Sequence, residues 1–440
     1  MKVTGIIAEY NPFHKGHLYH INKTKDRGHR YQIDYCREKL KSDYVIIAMS
    51  GDFVQRGAPA LLPKHQRAEM ALRCGADLVL ELPVSVSTAS AEGFAMGGVS
   101  MLDALHVVDT LCFGSEAGEI SAMHDLAEVL TEEPDTYRSL LRNCLAQGMS
   151  FPAARNLALE EYFREPRNFD GDDFDGVLTP LFNQITQILK FPNNILGIEY
   201  CKALLRLKSS IRPVTLRRQG MGYHEHMISS PEKYGTENYA SASAIRYTLK
   251  EDPSSLQFTN ELPEPAADIL KSAVSRNAFL LENDFSLLLS YCLLNETPET
   301  LVQYADVSRD LAARIINQRN QFENYTQFTE LLKTKEVTYT RVQRALLHTI
   351  LRIKGQLPHE VPYARVLGFR KNSSALLKAI KQQSSIPVIT KAADAPALLT
   401  PEALPIWDED IHASSIYESV LSQKSASPFI HEYQKQLVLL

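Results

Sequence analysis

The chain has 440 residues, 47 of them lysine or arginine and 52 aspartate or glutamate, which gives a formal net charge of −5. This length predicts two or three packed units, and 44% hydrophobic residues with 22% charged residues are typical of a soluble globular protein. No apolar run approaches the ~18 residues that cross a bilayer, and the N-terminus lacks the long apolar segment of a secretion signal. Six scattered cysteines without a CxxC pair indicate neither a disulfide framework nor a zinc site. We therefore predict a cytoplasmic protein without a membrane partner.

The first 250 residues alternate between short apolar strands and segments with helical spacing. Strands are predicted at residues 2–8, 44–50, 76–83, 107–114 and 212–218, and helices at residues 64–75, 89–105, 192–207 and 241–249. Because repeated strand–helix–strand units favour a parallel sheet with crossover helices, we predict an α/β, Rossmann-like domain over residues 1–255.

The remaining chain, residues 256–440, is predicted to form a mainly helical C-terminal domain. Its helical pattern runs from about residue 262 to 355. Near the C-terminus, "PYARVLGF" and "IPVIT" are predicted strands on either side of the helix "SSALLKAIKQQ". We expect these three segments to form a small α/β appendage on the helical part.

The four residues His14, Lys15, Gly16 and His17 stand where the first strand turns into the first helix. A helix N-terminus at that position presents free N–H groups that bind phosphate, and a glycine lets the phosphate approach the backbone. Two histidines can donate hydrogen bonds to phosphate oxygens as charge builds up in a transition state. Taken alone, the four letters also fit an ordinary helix start with surface histidines.

A second phosphate-binding candidate is "SASAIR", in which Ser241 and Ser243 are good N-cap residues and Arg246 lies one turn later. An ordinary capped helix is the alternative interpretation. The chain has no GxxxxGK[ST] segment, and no GxGxxG follows the first strand, which excludes a P-loop and disfavours a dinucleotide site. The pairing of this segment with the upstream histidines therefore favours a nucleotide site of another kind.

In chain order, the chain contains "IIAEYNPFHKGHLYH", "MSGDFVQRGAPA", "RAEMALRCGADLVLELP", "FGSE", "PNNILGIEY" and "SASAIR". This series resembles the bacterial tRNA(Met) cytidine acetate ligase family, within the HIGH-type nucleotidyltransferase superfamily. The resemblance implies that ATP and acetate form acetyl-adenylate, from which acetate passes to the wobble cytidine of elongator tRNA(Met) to give N4-acetylcytidine. It also implies that the C-terminal domain contacts tRNA. Magnesium on the triphosphate is expected from the chemistry, and no motif predicts a protein metal site.

The same resemblance implies which residues bind ATP. The continuous nucleotide-binding stretch is Ile7, Ala8, Glu9, Tyr10, Asn11, Pro12, Phe13, His14, Lys15, Gly16, His17, Leu18, Tyr19 and His20. Isolated contacts are expected at Gly114, Asn193 and Arg218, and the helix start adds Ser241, Ser243 and Arg246. As catalytic residues we predict His14 and His17, which stabilise charge on the α-phosphate, with Lys15 as a further candidate.

Several alternatives stay open at this point. The nearest is a cytidylyl- or adenylyltransferase that acts on a small-molecule cofactor precursor, and another is a non-catalytic RNA-binding protein. The segment at residues 50–57 is interpreted as a loop that closes over acetate or contacts RNA, or as a plain turn. Candidate phosphate contacts for tRNA, or simply a solvated face, are Arg341, Arg344, Arg352, Arg370 and Lys371.

Overall fold

The structure is a computed structural model that describes residues 1–15, 32–164, 185–217, 241–358 and 360–440. Within these ranges the strands are β1 Val3–Ala8, β2 Tyr44–Ser50, β3 Phe53–Val54, β4 Ala58–Pro59, β5 Leu78–Leu82, β6 Thr110–Ser115, β7 Arg212–Arg217, β8 Ala364–Phe369, β9 Val388–Ile389 and β10 Val438–Leu439.

The α-helices of the described ranges surround this sheet and continue into the C-terminal half. They are α1 Gln32–Glu38, α2 Lys64–Arg73, α3 Val84–Ser87, α4 Ala91–Ala104, α5 Ser121–Glu132, α6 Asp135–Ala146, α7 Phe151–Arg164, α8 Pro192–Arg206, α9 Ala242–Glu251, α10 Glu264–Ser275, α11 Ser286–Leu294, α12 Pro298–Leu301, α13 Arg309–Gln318, α14 Tyr325–Leu332, α15 Tyr339–Leu351, α16 Ser374–Gln383, α17 Ala395–Leu398 and α18 Leu404–Ser425. No helix among the described residues is both long and apolar enough to cross a membrane.

One large sheet carries the predicted Rossmann-like core. Its strand order is β10-β8-β5-β2-β1-β6-β7, with β9 paired to β8, and the five strands from β5 to β7 run parallel. Strands β1 and β2 are almost wholly buried, as near-continuous apolar strands covered by helices on both faces must be. Because these five strands are parallel, their carboxyl ends meet at one edge of the sheet, where open α/β sheets bind ligands.

The predicted C-terminal strands exist, but they do not stand apart on the helical part as the sequence led us to expect. Strand β8 pairs antiparallel with β5, from Leu78↔Phe369 to Glu81↔Arg365, and so extends the main sheet. Strand β10 then pairs with the other edge of β8. The apolar sequence of β8 predicts a buried strand, whereas its partner lies almost 300 residues away and leaves no local signal.

The helices of residues 286–351 enclose a separate apolar cluster that also takes in Phe53 from β3 and Tyr417 from α18. The short hairpin formed by β3 and β4 thus packs against the helical region. Contacts between the two halves are therefore extensive, and the domain boundary at residue 255 remains a prediction.

Candidate functional site

The turn after β1 is fixed by a buried arginine from α2. Arg67 is fully buried, and its guanidinium donates to the carbonyl oxygens of Glu9 (2.6 Å), Ser50 (3.1 Å), Leu62 (3.0 Å) and Gly51. Loss of contact with water lowers its pKa from the usual arginine value. One side chain therefore holds the backbone where β1 and β2 both end.

Downstream of Glu9 the chain makes a tight turn. Tyr10 has a φ of 47°, the Asn11–Pro12 peptide bond is cis, and the Asn11 Oδ1 accepts a hydrogen bond from the Leu61 N–H at 2.7 Å. The side chains of Ile7, Tyr10 and Phe13 are buried in the core. Within the predicted nucleotide-binding stretch, these three residues therefore have only backbone atoms to offer to a nucleotide.

The described part of this stretch ends with the first two residues of the histidine motif. His14 is buried and Lys15 is partly exposed. Five predicted site residues, Gly16, His17, Leu18, Tyr19 and His20, lie outside the described residues, as does Arg218.

The start of helix α9 meets the turn after β1, although more than 200 residues separate them in sequence. The Ser241 hydroxyl accepts from the Ala244 N–H at 3.2 Å and caps the helix. Arg246 donates to the Asn11 carbonyl oxygen at 2.6 Å and to the Ser243 hydroxyl at 3.3 Å. The structure thus brings together the two segments that the sequence predicted to bind phosphate.

Gly114 and Asn193 lie at the next part of the same edge. Gly114 is the penultimate residue of β6, and Glu116 just beyond it accepts hydrogen bonds from the Asn193 amide at 2.6 Å and the Asn194 N–H at 3.1 Å. The Asn194 Oδ1 in turn accepts from the Glu116 N–H at 2.8 Å. Asn193 therefore contacts the "FGSE" turn directly, and the first turn of α8 is tied to the end of β6.

A cleft of about 180 Å³ opens beside the turn after β1. Its walls include Asn11 and Arg246 from the predicted phosphate site, Val54 and Arg56 from the hairpin, and Gln343 from α15. The "SGDFVQRG" segment is therefore neither a plain turn nor a free loop: it forms a hairpin that packs against the helical region. At Gly57, with a φ of +77°, a Cβ atom would lie 2.5 Å from the Arg344 nitrogen, so only glycine permits this approach.

The structure also separates some candidates from the site. Arg344, one predicted tRNA phosphate contact, is buried and forms an ion pair with Asp306 through contacts of 2.8 and 3.2 Å. Its charge is therefore compensated inside the protein. Among the described residues, the one cluster with metal-ligand geometry is His124, Asp125 and Glu128 on α5.

Sequence reasoning assigned no role to Arg67, although it lies in the "RAEM" motif. The available signal was an arginine at a helix position that the apolar pattern places inside the protein. Only the position of the four carbonyl groups shows what this arginine does.

A sequence profile described as HIGH Nucleotidyl Transferase matches residues 1–27 and 26–431. The chain belongs to this family. A tRNA(Met) cytidine acetate ligase from Clostridium tetani is 38% identical over 397 residues, which cover 89% of this chain and 90% of that protein. The ligase of the same name from Clostridium acetobutylicum is 36% identical over 444 residues and all of both chains.

Similar solved structures agree with the sequence relatives. Thermotoga maritima TmcAL bound with alpha-thio ATP has a TM-score of 0.84 at 30% identity, with 100% of both chains covered. The apo form of the same protein gives a TM-score of 0.86. The similarity therefore includes the C-terminal half and is not limited to the nucleotide-binding sheet.

Proposed function

We propose that this protein is an ATP-dependent tRNA(Met) cytidine acetate ligase that forms N4-acetylcytidine at the wobble position of elongator tRNA(Met). The observation that carries the proposal is the 2.6 Å contact between Arg246 and the Asn11 carbonyl, which joins the two predicted phosphate-binding segments in a chain of this family. Relatives of nearly equal length bear this name, and a similar structure was obtained with an ATP analogue.

In the first half-reaction an acetate oxygen attacks the α-phosphorus of ATP. The new bond joins the carboxylate to the phosphorus, the bond to the β-phosphate oxygen breaks, and pyrophosphate leaves. Acetate is already ionised at pH 7, so this step requires positioning and charge stabilisation, and no general base. His14 and His17 would donate to the α-phosphate oxygens, with Lys15, Arg246 and Arg218 neutralising phosphate charge.

Magnesium would neutralise charge on the leaving pyrophosphate. It usually binds nucleotides through phosphate oxygens and water, with one or two carboxylates, so the site does not need a dedicated metal cage. Gly114 would let the adenine or ribose lie against the backbone, and Asn193 would hydrogen-bond the sugar or base.

In the second half-reaction the N4 amine of the cytidine attacks the acetyl carbon. A carbon–nitrogen bond forms, the bond from this carbon to the phosphate oxygen breaks, AMP leaves, and N4 loses one proton. We assign tRNA contacts to residues 256–440 and the reaction to the cytoplasm.

The experiment that tests the proposal is nucleoside mass spectrometry of a bacterial tRNA pool after incubation with the protein, ATP and acetate. We expect N4-acetylcytidine only when all components are present, with omission of acetate and of ATP as controls. Pyrophosphate release with another small substrate, without modified tRNA, would replace this proposal by a cofactor nucleotidyltransferase.

Two variants test the assigned roles. His17→Ala should abolish acetyl-adenylate formation and leave tRNA affinity nearly unchanged, because this imidazole is assigned to transition-state charge. Arg218→Ala should raise the ATP concentration needed for half-maximal rate. An unchanged ATP titration would remove Arg218 from the site.

A further inference from the structure

The cleft of about 180 Å³ contains one feature that ATP binding leaves unexplained. Gln343 is only 4% exposed and lines the cleft. Its amide is not among the fully buried polar groups that lack a partner in the described part of the chain, so its polar atoms keep access to the cleft. A ligand in the cleft can therefore take up the hydrogen bonds of this amide.

The position of Gln343 is fixed by its own backbone. Its carbonyl oxygen accepts a hydrogen bond from the Tyr325 hydroxyl at 2.9 Å. The next residue, Arg344, lies against Gly57 and is held by Asp306. The amide is therefore presented to the cleft from a rigid helix, as a recognition group should be.

The cleft is too small for a nucleoside triphosphate, because pockets that enclose a drug-sized ligand measure about 300–1,000 Å³. A single planar ring or a small acid fits the space better. Asn11 and Arg246 belong both to this cleft and to the predicted phosphate site. A ligand in the cleft would thus lie next to the phosphates of ATP.

The charges on the walls decide between these ligands. The walls include two acidic residues, Glu9 and Glu282, and two basic residues, Arg56 and Arg246. These formal charges balance, so the walls lack the excess of positive charge that favours an anion such as acetate, whereas a neutral ring with both donors and acceptors can use both kinds of group. Half-buried Tyr339 adds an aromatic surface, which is the usual support for an extruded base.

We infer that this cleft receives the target cytosine after it leaves the anticodon stack, and that Gln343 binds its Watson–Crick edge. The Gln343 Oε1 would accept from the N4 amine and its Nε2 would donate to N3, which would hold the base with its amine in the cleft. The inference rests on the proposed function and adds a residue that positions the base.

The test uses the full-length protein with Gln343→Leu, which removes both polar atoms at similar volume, and Gln343→Glu, which removes the donor to N3. For each variant, kcat/KM for tRNA acetylation should fall about tenfold or more, the usual cost of one lost bidentate base contact. Acetate-dependent ATP–pyrophosphate exchange without tRNA should keep its wild-type rate. Gln382→Leu, on the exposed face of α16, is the matched control and should leave both rates unchanged.

A second measurement compares the KM for elongator tRNA(Met) with the KM for ATP in wild-type protein and in Gln343→Leu. The substitution should raise the KM for tRNA and leave the KM for ATP unchanged. Wild-type acetylation rates in both Gln343 variants would overturn the inference, and so would an equal loss in both half-reactions, which would indicate a structural role. Absence of N4-acetylcytidine with wild-type protein would instead overturn the proposed function.

Discussion

Replacing Arg67 by methionine tests whether one buried guanidinium positions the site. Methionine keeps the apolar stem but leaves four carbonyl oxygens without their donor, including those of Glu9 and Ser50 at the ends of β1 and β2. Hydrogen bonds to a charged group contribute about 1.5–3 kcal/mol each, or roughly 6–12 kcal/mol for four. Several kcal/mol are regained because no charge is buried any longer, so we expect a net loss of about 3–5 kcal/mol.

The assay is urea unfolding, with Arg73→Met as the matched control from the same helix. The side chain of Arg73 is 49% exposed and pairs with Glu69 one turn earlier, a contact that contributes about 0.3–0.5 kcal/mol. Arg67→Lys keeps the positive charge but replaces the planar guanidinium by an ammonium group with three donors. This variant should therefore recover part of the lost stability. At urea concentrations below the unfolding transition, Arg67→Met should also raise the KM for ATP. The reason is that the Glu9 carbonyl, which Arg67 holds, begins the turn that leads to His14.

Equal unfolding midpoints for Arg67→Met and Arg73→Met would refute this reasoning. A large loss of stability with an unchanged KM for ATP would show that Arg67 supports the fold without positioning the nucleotide site.

Three further predictions concern the hairpin, the pH dependence of stability and the reaction itself. Gly57→Ala should lower the free energy of unfolding, measured with urea, by more than backbone strain alone, which costs about 1–3 kcal/mol. The added Cβ would also lie 2.5 Å from the Arg344 nitrogen. Burial raises the pKa of Asp410 to about 7, so the folded state keeps a proton that the unfolded state releases near pH 4, and stability falls as pH rises between those values. Asp410→Asn should flatten this decline in urea titrations at pH 5 and 8. His14→Ala should slow acetate-dependent ATP–pyrophosphate exchange by about 10²–10³-fold, the usual cost of one lost oxyanion donor.

Each of these predictions has its own control or contrary outcome. Gly148 has a φ of +79° and no atom within 4 Å of a built Cβ, so Gly148→Ala isolates the cost of backbone strain. Equal effects at the two glycines would contradict the proposed clash. An undiminished decline in Asp410→Asn would assign the pH dependence to other groups, such as neighbouring Glu409, whose pKa burial also raises to about 7. Wild-type exchange in His14→Ala would remove this histidine from the reaction.

Local sequence signals predicted the elements of the N-terminal sheet well. The apolar runs correctly predicted strands β1, β2, β5 and β6, and Ser241 correctly predicted the start of helix α9. The pairing of β8 with β5 could not be read in the same way, because period-two alternation fixes which face of a strand is buried and says nothing about a distant partner.

The candidate site was predictable to a similar degree. The chain order and phosphate chemistry indicated that the turn after β1 and the "SASAIR" helix act together, and Arg246 does contact Asn11. The roles of Arg344 and Arg67 were not predictable. The sequence does not show whether an arginine in a helix faces solvent, a carboxylate or a set of carbonyl groups. Only the tertiary structure distinguishes these cases.

The way the two halves join explains why the candidate site needs the whole chain. The Lys64 ammonium is fully buried, 2.7 Å from Glu81 of β5, 3.5 Å from Asp52 before the hairpin and 3.4 Å from Glu432 near the C-terminus. A second cation, Arg365 of β8, contacts Glu81 and Glu432. Buried ion clusters contribute little net stability, but one that loses a member is strongly destabilised. The cluster therefore favours a single arrangement of sheet, hairpin and C-terminal segment, and in this arrangement Val54, Gln343 and Asn11 all line the cleft.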